Sequence, residues 1–400
     1  VKNKSGLLLI GLAYLGFISL GLPDGLLGVA WPSMRAYFNL PLDALGTLLV
    51  MFTAGYLLSS FSSGWLLARI NVGTLLALSC VATAASLIGY AQASSWWIVV
   101  ALGVLAGLGA GAIDAGLNTF AATQFSARMV NWLHACYGIG ATGGPLLMTW
   151  VLAAGRPWQQ GYWIVGVWQL LLAACFSLTL RWWPDAKTPQ ETPAPSSMRA
   201  ASTSSALRRP VVWLSIAVFF IYTGIEAAAG TWAYSLFTMA RAVPAGTAGL
   251  WVSIYWGSFT AGRLISGLIA SHTSVPRLLR LCIIGMAAGA AMIWLDLAHL
   301  LSFLGLALMG LSSAPIFPSL IAATPTRLGP AHTAHGVGFQ IAAAVLGQSL
   351  LPSLVGVLAG QWGLEVVGPA LLAAAILLLA LHEALIATSS KVVRESRAMA

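Results

Sequence analysis

Three carboxylates lie inside long apolar runs: Asp24 within Gly21-Leu22-Pro23-Asp24-Gly25, Asp114 closing Gly107-Leu108-Gly109-Ala110-Gly111-Ala112-Ile113-Asp114, and Glu226 within Gly224-Ile225-Glu226. An ionisable side chain at the middle of a bilayer costs roughly 2.5–3.5 kcal/mol even on lenient insertion scales, so each needs an internal partner or a task. The task within a carboxylate's reach is to bind and release a cation, and Asp24 and Asp114 are the candidate coupling groups for H+ or Na+. Asn118 follows Asp114 by one helical turn on the same face, where the two can hold a ligand or each other.

Other polar and aromatic groups at similar depth are candidates for holding a solute. Asn131 and His134 share a helical face with Tyr137 beside them, and Gln340 and Gln348 lie deep in a later run. Glu226, Trp232, Tyr255 and Trp256 would add an acid and an aromatic surface, a combination suited to the apolar face and hydroxyl rim of a sugar ring. Asp296, Glu365 and Glu383 fall at run ends, where water or headgroups solvate them. Cys80, Cys136, Cys175 and Cys282 sit in apolar runs without CxxC or histidine at metal-ligand spacing, which reads as buried thiols; neither disulfide, metal site nor cofactor is expected. Nor does any nucleophile stand with a base and an orienting acid at recognisable spacing, so the chain is not read as an enzyme.

The elements that position these groups follow from composition. Of 400 residues, 59% are hydrophobic and 7% charged, whereas a soluble domain is about a quarter charged, so this chain is written for lipid. The net charge of +9 comes from basic residues scattered singly between apolar runs, so nucleic acid is excluded as a partner. Twelve runs are long enough to span about 30 Å of hydrocarbon as helices: 6–31, 44–69, 73–93, 96–121, 131–154, 161–183, 211–238, 246–270, 277–296, 299–322, 332–358 and 364–387. The first is read as a retained helix, because it outruns signal-peptide length and offers no convincing cleavage site. Trp31, Trp96, Trp97, Trp182 and Trp183 are read as interfacial belts.

Residues 184–210 form the longest polar stretch, rich in Pro, Ser, Thr and Ala, and read as a linker. The expected domains are therefore a six-helix bundle at 1–183, a cytoplasmic linker at 184–210, and a second six-helix bundle with a short cytoplasmic tail at 211–400. With both termini inside, sixteen Lys and Arg fall on the inner side and three, Arg35, Arg156 and Arg241, on the outer side, as the positive-inside rule requires. The fold class is thus an all-α membrane protein of twelve transmembrane helices in two six-helix bundles.

Nearly the whole chain resembles the major facilitator superfamily. Gly64-Trp65-Leu66-Leu67-Ala68-Arg69 with Gly73 is similar to that family's loop motif between the second and third helices, though without its usual acid and doubled basic residue, and Gly262-Arg263-Leu264 with Gly267 resembles the second-half echo. The stretch from Gly107 to Pro145 resembles the fourth and fifth helices of the fucose/proton symporter branch, including its sodium-dependent glucose transporter relatives. That resemblance implies cation coupling and sugar recognition at Asp114 and Asn118, an acid in helix one at Asp24, and a glucose-type seventh helix around Glu226 and Trp232-Ala233-Tyr234.

The implied function is secondary active symport of a sugar or similar small polar solute by alternating access, coupled to protons or sodium. The competing expectation is a proton-coupled antiporter exporting drugs or metabolites, because Gly140 and Gly144-Pro145 resemble the core of the antiporter motif; its flanking glycines are replaced by Asn131, Met148 and Thr149. A monomer in the cell membrane, partnered by the lipid bilayer and its solute, is expected.

Overall fold

The computed structural model describes residues 4–183, 203–269 and 273–398, and among these every regular element is helical. In the first half the helices are α1 (Lys4–Phe38), α2 (Ala44–Leu67), α3 (Val72–Gln92), α4 (Trp96–Gln124), α5 (Ala127–Ala153) and α6 (Gln159–Leu178). A short α7 (Thr203–Leu207) precedes α8 (Pro210–Ser235), α9 (Ala245–Ile269), α10 (Val275–Leu295), α11 (His299–Ser313), α12 (Ile316–Leu328), α13 (Pro330–Trp362) and α14 (Val367–Ala398). Of the expected linker, residues 184–202 lie outside the described residues.

Among the described residues, ten helices are long and apolar enough to cross a membrane, α11 and α12 counting together as one span. The long helices α5 and α9 complete the twelve. Both carry more polar side chains, including Arg128, His134 and Thr142 on α5 and Ser253, Ser258 and Arg263 on α9, and turn part of their surface to protein rather than lipid.

The chain divides into two compact units, one of residues 1–190, 230–257 and 359–364, the other of 191–229, 258–358 and 365–400. The division passes through α8, α9 and α13 as well as between the halves.

In the first unit, α1 pairs with α5, α2 with α4, and α3 with both α4 and α6. Small residues set these seams. A Cβ on Gly21 would lie 2.7 Å from the Ala141 nitrogen, one on Gly25 2.6 Å from the Ala141 carbonyl oxygen, and one on Gly140 would collide with the Ile18 carbonyl, so α1 and α5 touch backbone to backbone. Pro23, inside α1, has no N–H to give to the carbonyl of residue 19; Gln169 on α6 supplies it instead, its Nε2 donating to the Ser19 oxygen at 3.0 Å while Ser19 Oγ donates to Gln169 Oε1 at 3.1 Å. That side-chain repair lets α1 run for 35 residues, past Pro23 and Pro32, well beyond the expected end at 31.

Two of the expected belt tryptophans, Trp97 and Trp182, are exposed as interfacial anchors should be, but Trp31, Trp96 and Trp183 are buried. Trp31 packs on Trp96 with ring centroids 5.6 Å apart, and Trp183 closes over Phe120 at 4.8 Å and Phe176 at 5.5 Å, so these three are core residues. Cys80, Cys136 and Cys282 are buried as expected, whereas Cys175 is exposed.

In the second unit, α10 packs on α11, α12 and α14. Gly224 on α8 meets Leu351 and the Gly347 carbonyl of α13, and Thr223 Oγ1 lies 2.8 Å from the Ala344 carbonyl. This α8–α13 seam follows the same small-residue logic as α1–α5.

Candidate functional site

In the first unit, the close approach of α1 and α5 carries Tyr137 to Asp24, and its hydroxyl donates to Asp24 Oδ2 at 2.8 Å. The α2–α4 seam does the same for Asp114. Gly107 has no room for a Cβ against the Phe52 carbonyl, and a Cβ on Gly111 would sit 2.6 Å from the Tyr56 carbonyl oxygen. At that spacing the Tyr56 hydroxyl donates to Asp114 Oδ2 at 2.7 Å, while Asn118 Nδ2 donates to Oδ1 at 2.9 Å. The helices that carry Asp24 and Asp114, α1 and α4, also pack on one another.

The two carboxylates, two phenols and one amide thus form one cluster drawn from α1, α2, α4 and α5. Among the described residues, neither Asp24 nor Asp114 meets a lysine or arginine; their partners are hydroxyl and amide donors. Asp114, Tyr56, Asn118 and Tyr137 are partly exposed and Asp24 is exposed. An ionisable group at mid-helix cannot have its exposed face on lipid without the insertion penalty, so that face belongs to water. Such a constellation presents acceptor oxygens at an accessible place inside the bundle, with no fixed positive charge among the described residues to neutralise them.

Tyr56 is the cluster member that sequence reasoning missed. Its partner is 58 residues away, no periodicity links them, and the glycine-rich face of α4 was the only sign that another helix comes close. The His134 ring is edge-on to Phe17 at 5.4 Å between centroids. The side chain of Asn131 lies outside the described residues. Trp232 and Tyr255 have no meaningful exposed surface and Trp256 little; Trp256 packs against Tyr255 at 5.0 Å and against Gly230, so this aromatic group is packing in the conformation seen.

In the second unit, Glu226 differs from the other two acids. It is buried, the Tyr222 hydroxyl donates to its Oε2, and the same hydroxyl lies 3.1 Å from the Ser313 carbonyl. The positive charge of Arg263 acts on it. The Arg263 guanidinium also lies over the Phe259 ring, 4.4 Å from its centroid. Gln340 is 1% exposed, and its amide lies 2.9 Å from Thr324 Oγ1, which makes it a tie between α12 and α13. Gln348 is exposed on α13. His332, at the start of α13, comes within 3.2 Å of Ser205 Oγ on α7 and ties the two helices together.

A family model described as Major Facilitator Superfamily matches residues 13–304. The chain belongs to the Major Facilitator Superfamily. Among solved structures it is similar to the nucleoside transporter NupG in a D323A mutant, with a TM-score of 0.76 and 15% identity over 94% of this chain and 99% of that one, a likeness of fold. Among characterised proteins it is similar to Bypass of stop codon protein 6 of Saccharomyces cerevisiae, 21% identical over 388 residues covering 87% of this chain and 76% of that protein. It is also similar to Sodium-dependent glucose transporter 1 of Homo sapiens, 26% identical over 147 residues, covering 36% of this chain and 28% of the human protein. This facilitator is therefore a multi-pass membrane transporter of a small molecule rather than an enzyme.

Proposed function

We propose that this facilitator is a cation-coupled symporter for a sugar or a sugar-bearing solute, with Asp24 and Asp114 holding the driving proton or sodium ion. The observation that carries the reading is the pair of accessible carboxylates held by Tyr137, Tyr56 and Asn118 without a basic partner. Two like charges in a low-dielectric site repel, so the empty cluster is costly and a mobile cation relieves that cost. The loaded carrier then crosses between its two openings more readily than the cation-free, doubly charged one, and transport becomes obligatorily coupled. Asn118, His134 and Trp256 are the groups of the first unit that would meet solute hydroxyls and ring faces as the aromatic group opens.

The sugar class draws on the sodium-dependent glucose transporter likeness, and the nucleoside transporter likeness adds solutes whose sugar carries a base. Gly140, Gly144 and Pro145 are occupied in the α1–α5 seam, so they need no antiport role to account for their presence. In proteoliposomes, a panel of sugars and nucleosides scored for pH change and sodium dependence is expected to find a solute that moves with a cation. Asp114→Asn is expected to abolish gradient-driven accumulation while leaving counterflow. Undiminished uphill uptake by that variant would overturn the coupling assignment, and protection of cells from lipophilic cations without solute-linked ion movement would favour export.

A further inference from the structure

Pro23 stands directly before Asp24 in the middle of α1, and its ring leaves the Ser19 carbonyl without the N–H that a regular helix would give it. In a bilayer such a carbonyl must be met from elsewhere, or the helix bends there. Gln169 of α6 meets it, Nε2 donating to the Ser19 oxygen at 3.0 Å, and accepts the Ser19 hydroxyl on Oε1 at 3.1 Å. The pairing fixes which way round the amide lies, because a carbonyl can only accept and the nitrogen must face it. Ser19 and Gln169 are 0% and 1% exposed, which shuts this clasp off from bulk water.

Asp24 is therefore held from two sides. Its carboxylate accepts the Tyr137 hydroxyl of α5 at 2.8 Å, and the turn immediately before it is clasped to α6. The close contacts at Gly21 and Gly25 set how near α1 comes to α5, but they supply no hydrogen bond to the carbonyl that Pro23 leaves open. Without Gln169 that carbonyl would be buried and unmet, and the relief open to it is a bend of α1 at Pro23, which swings Asp24 relative to Tyr137. We propose that Gln169 is a positioning residue for the Asp24 carboxylate, standing in for the backbone donor that Pro23 lacks and so fixing the turn of α1 on which the Asp24–Tyr137 contact depends. The proposal rests on Asp24 being a cation-coupling group.

The test follows ion binding to the purified full chain by thermal unfolding, in a pH series and in a series where sodium chloride replaces choline chloride at constant ionic strength. A cation that prefers the folded state raises its unfolding temperature. Asp24→Asn removes the carboxylate and defines the part of the ion dependence that belongs to it. Gln169→Leu is expected to displace the midpoint of that part by about threefold in ion concentration, or about half a pH unit for a proton, besides lowering the unfolding temperature under every condition. A purely structural tie would give the second effect without the first. Pro23→Ala restores the backbone N–H, so in that background Gln169→Leu is expected to leave the midpoint where Pro23→Ala alone puts it. Gln169→Asn, one methylene shorter and out of reach of the carbonyl, takes the place of Gln169→Leu if the leucine variant fails to fold, and the same displacement is expected. A wild-type ion dependence in Asp24→Asn overturns the coupling role of Asp24 and this proposal with it. An altered dependence there, together with a wild-type midpoint in Gln169→Leu or a displacement that persists in the Pro23→Ala background, overturns the positioning role alone.

Discussion

Tyr56 and Tyr137 do the same job on two different acids. Each phenol donates one hydrogen bond to a carboxylate that meets no basic side chain among the described residues, and under the proposed coupling each would set how much stabilisation an incoming cation must add. A hydrogen bond to a charged group contributes about 1.5–3 kcal/mol, so removing one is worth roughly a tenfold change or more in an equilibrium constant. Tyr56→Phe leaves Asp114 with Asn118 alone. It is expected to shift the ion-concentration dependence of uptake by about tenfold. Tyr137→Phe acts on the more exposed Asp24, where water replaces the lost donor, and a smaller shift is expected. Initial rates of uptake across a pH and sodium series would read both, and equal, negligible effects would show that the phenols are packing groups only.

At the scale of elements, the acids are brought together by glycines that have nothing to do with chemistry. Gly21, Gly25 and Gly140 let α1 meet α5, and Gly107 and Gly111 let α2 meet α4. Gly107→Leu is expected to push α2 off α4, to lower the unfolding temperature by several degrees through overpacking, and to uncouple transport by parting Tyr56 from Asp114. The same substitution at Gly11, where a Cβ would meet nothing within 4 Å, is expected to leave both properties near wild type and is the control. The halves also repeat a theme with one difference: α1 and α8 each carry an acid beside a glycine seam, yet the charge of Arg263 acts on Glu226 while Asp24 meets no cation among the described residues.

For the whole molecule, the first unit holds residues 230–257 against α1 and α5. A Cβ on Gly28 would lie 2.9 Å from the Gly230 carbonyl oxygen, and one on Gly249 would run into the Thr149 side chain. A facilitator that alternates access must part such contacts once per cycle, and the absence of side chains is what allows them to close. Gly249→Val is expected to disfavour the closed arrangement, so that a cysteine introduced at buried Ala233, in a background without the four native cysteines, reacts with a maleimide about tenfold faster or more than the same probe beside Gly249. Unchanged labelling would mean that the segment does not open there.

The sequence by itself determined that this chain lives in lipid, that it does so as helices, and roughly where they lie, because the cost of burying backbone and charge in hydrocarbon is local and legible residue by residue. It also singled out Asp24, Asp114 and Asn118, since a carboxylate inside an apolar run is conspicuous and an i, i+4 pair needs no tertiary knowledge. Only the tertiary structure decided what those acids face. Tyr137 lies 113 residues from Asp24, Tyr56 lies 58 from Asp114, and Arg263 reaches Glu226 from the next helix, none of them at a spacing that helical period can expose. The burial of Trp31, Trp232 and Gln340 against neighbouring helices was equally hidden, because a side chain's depth is written in its own residue type while its partner is set by which helices pack together.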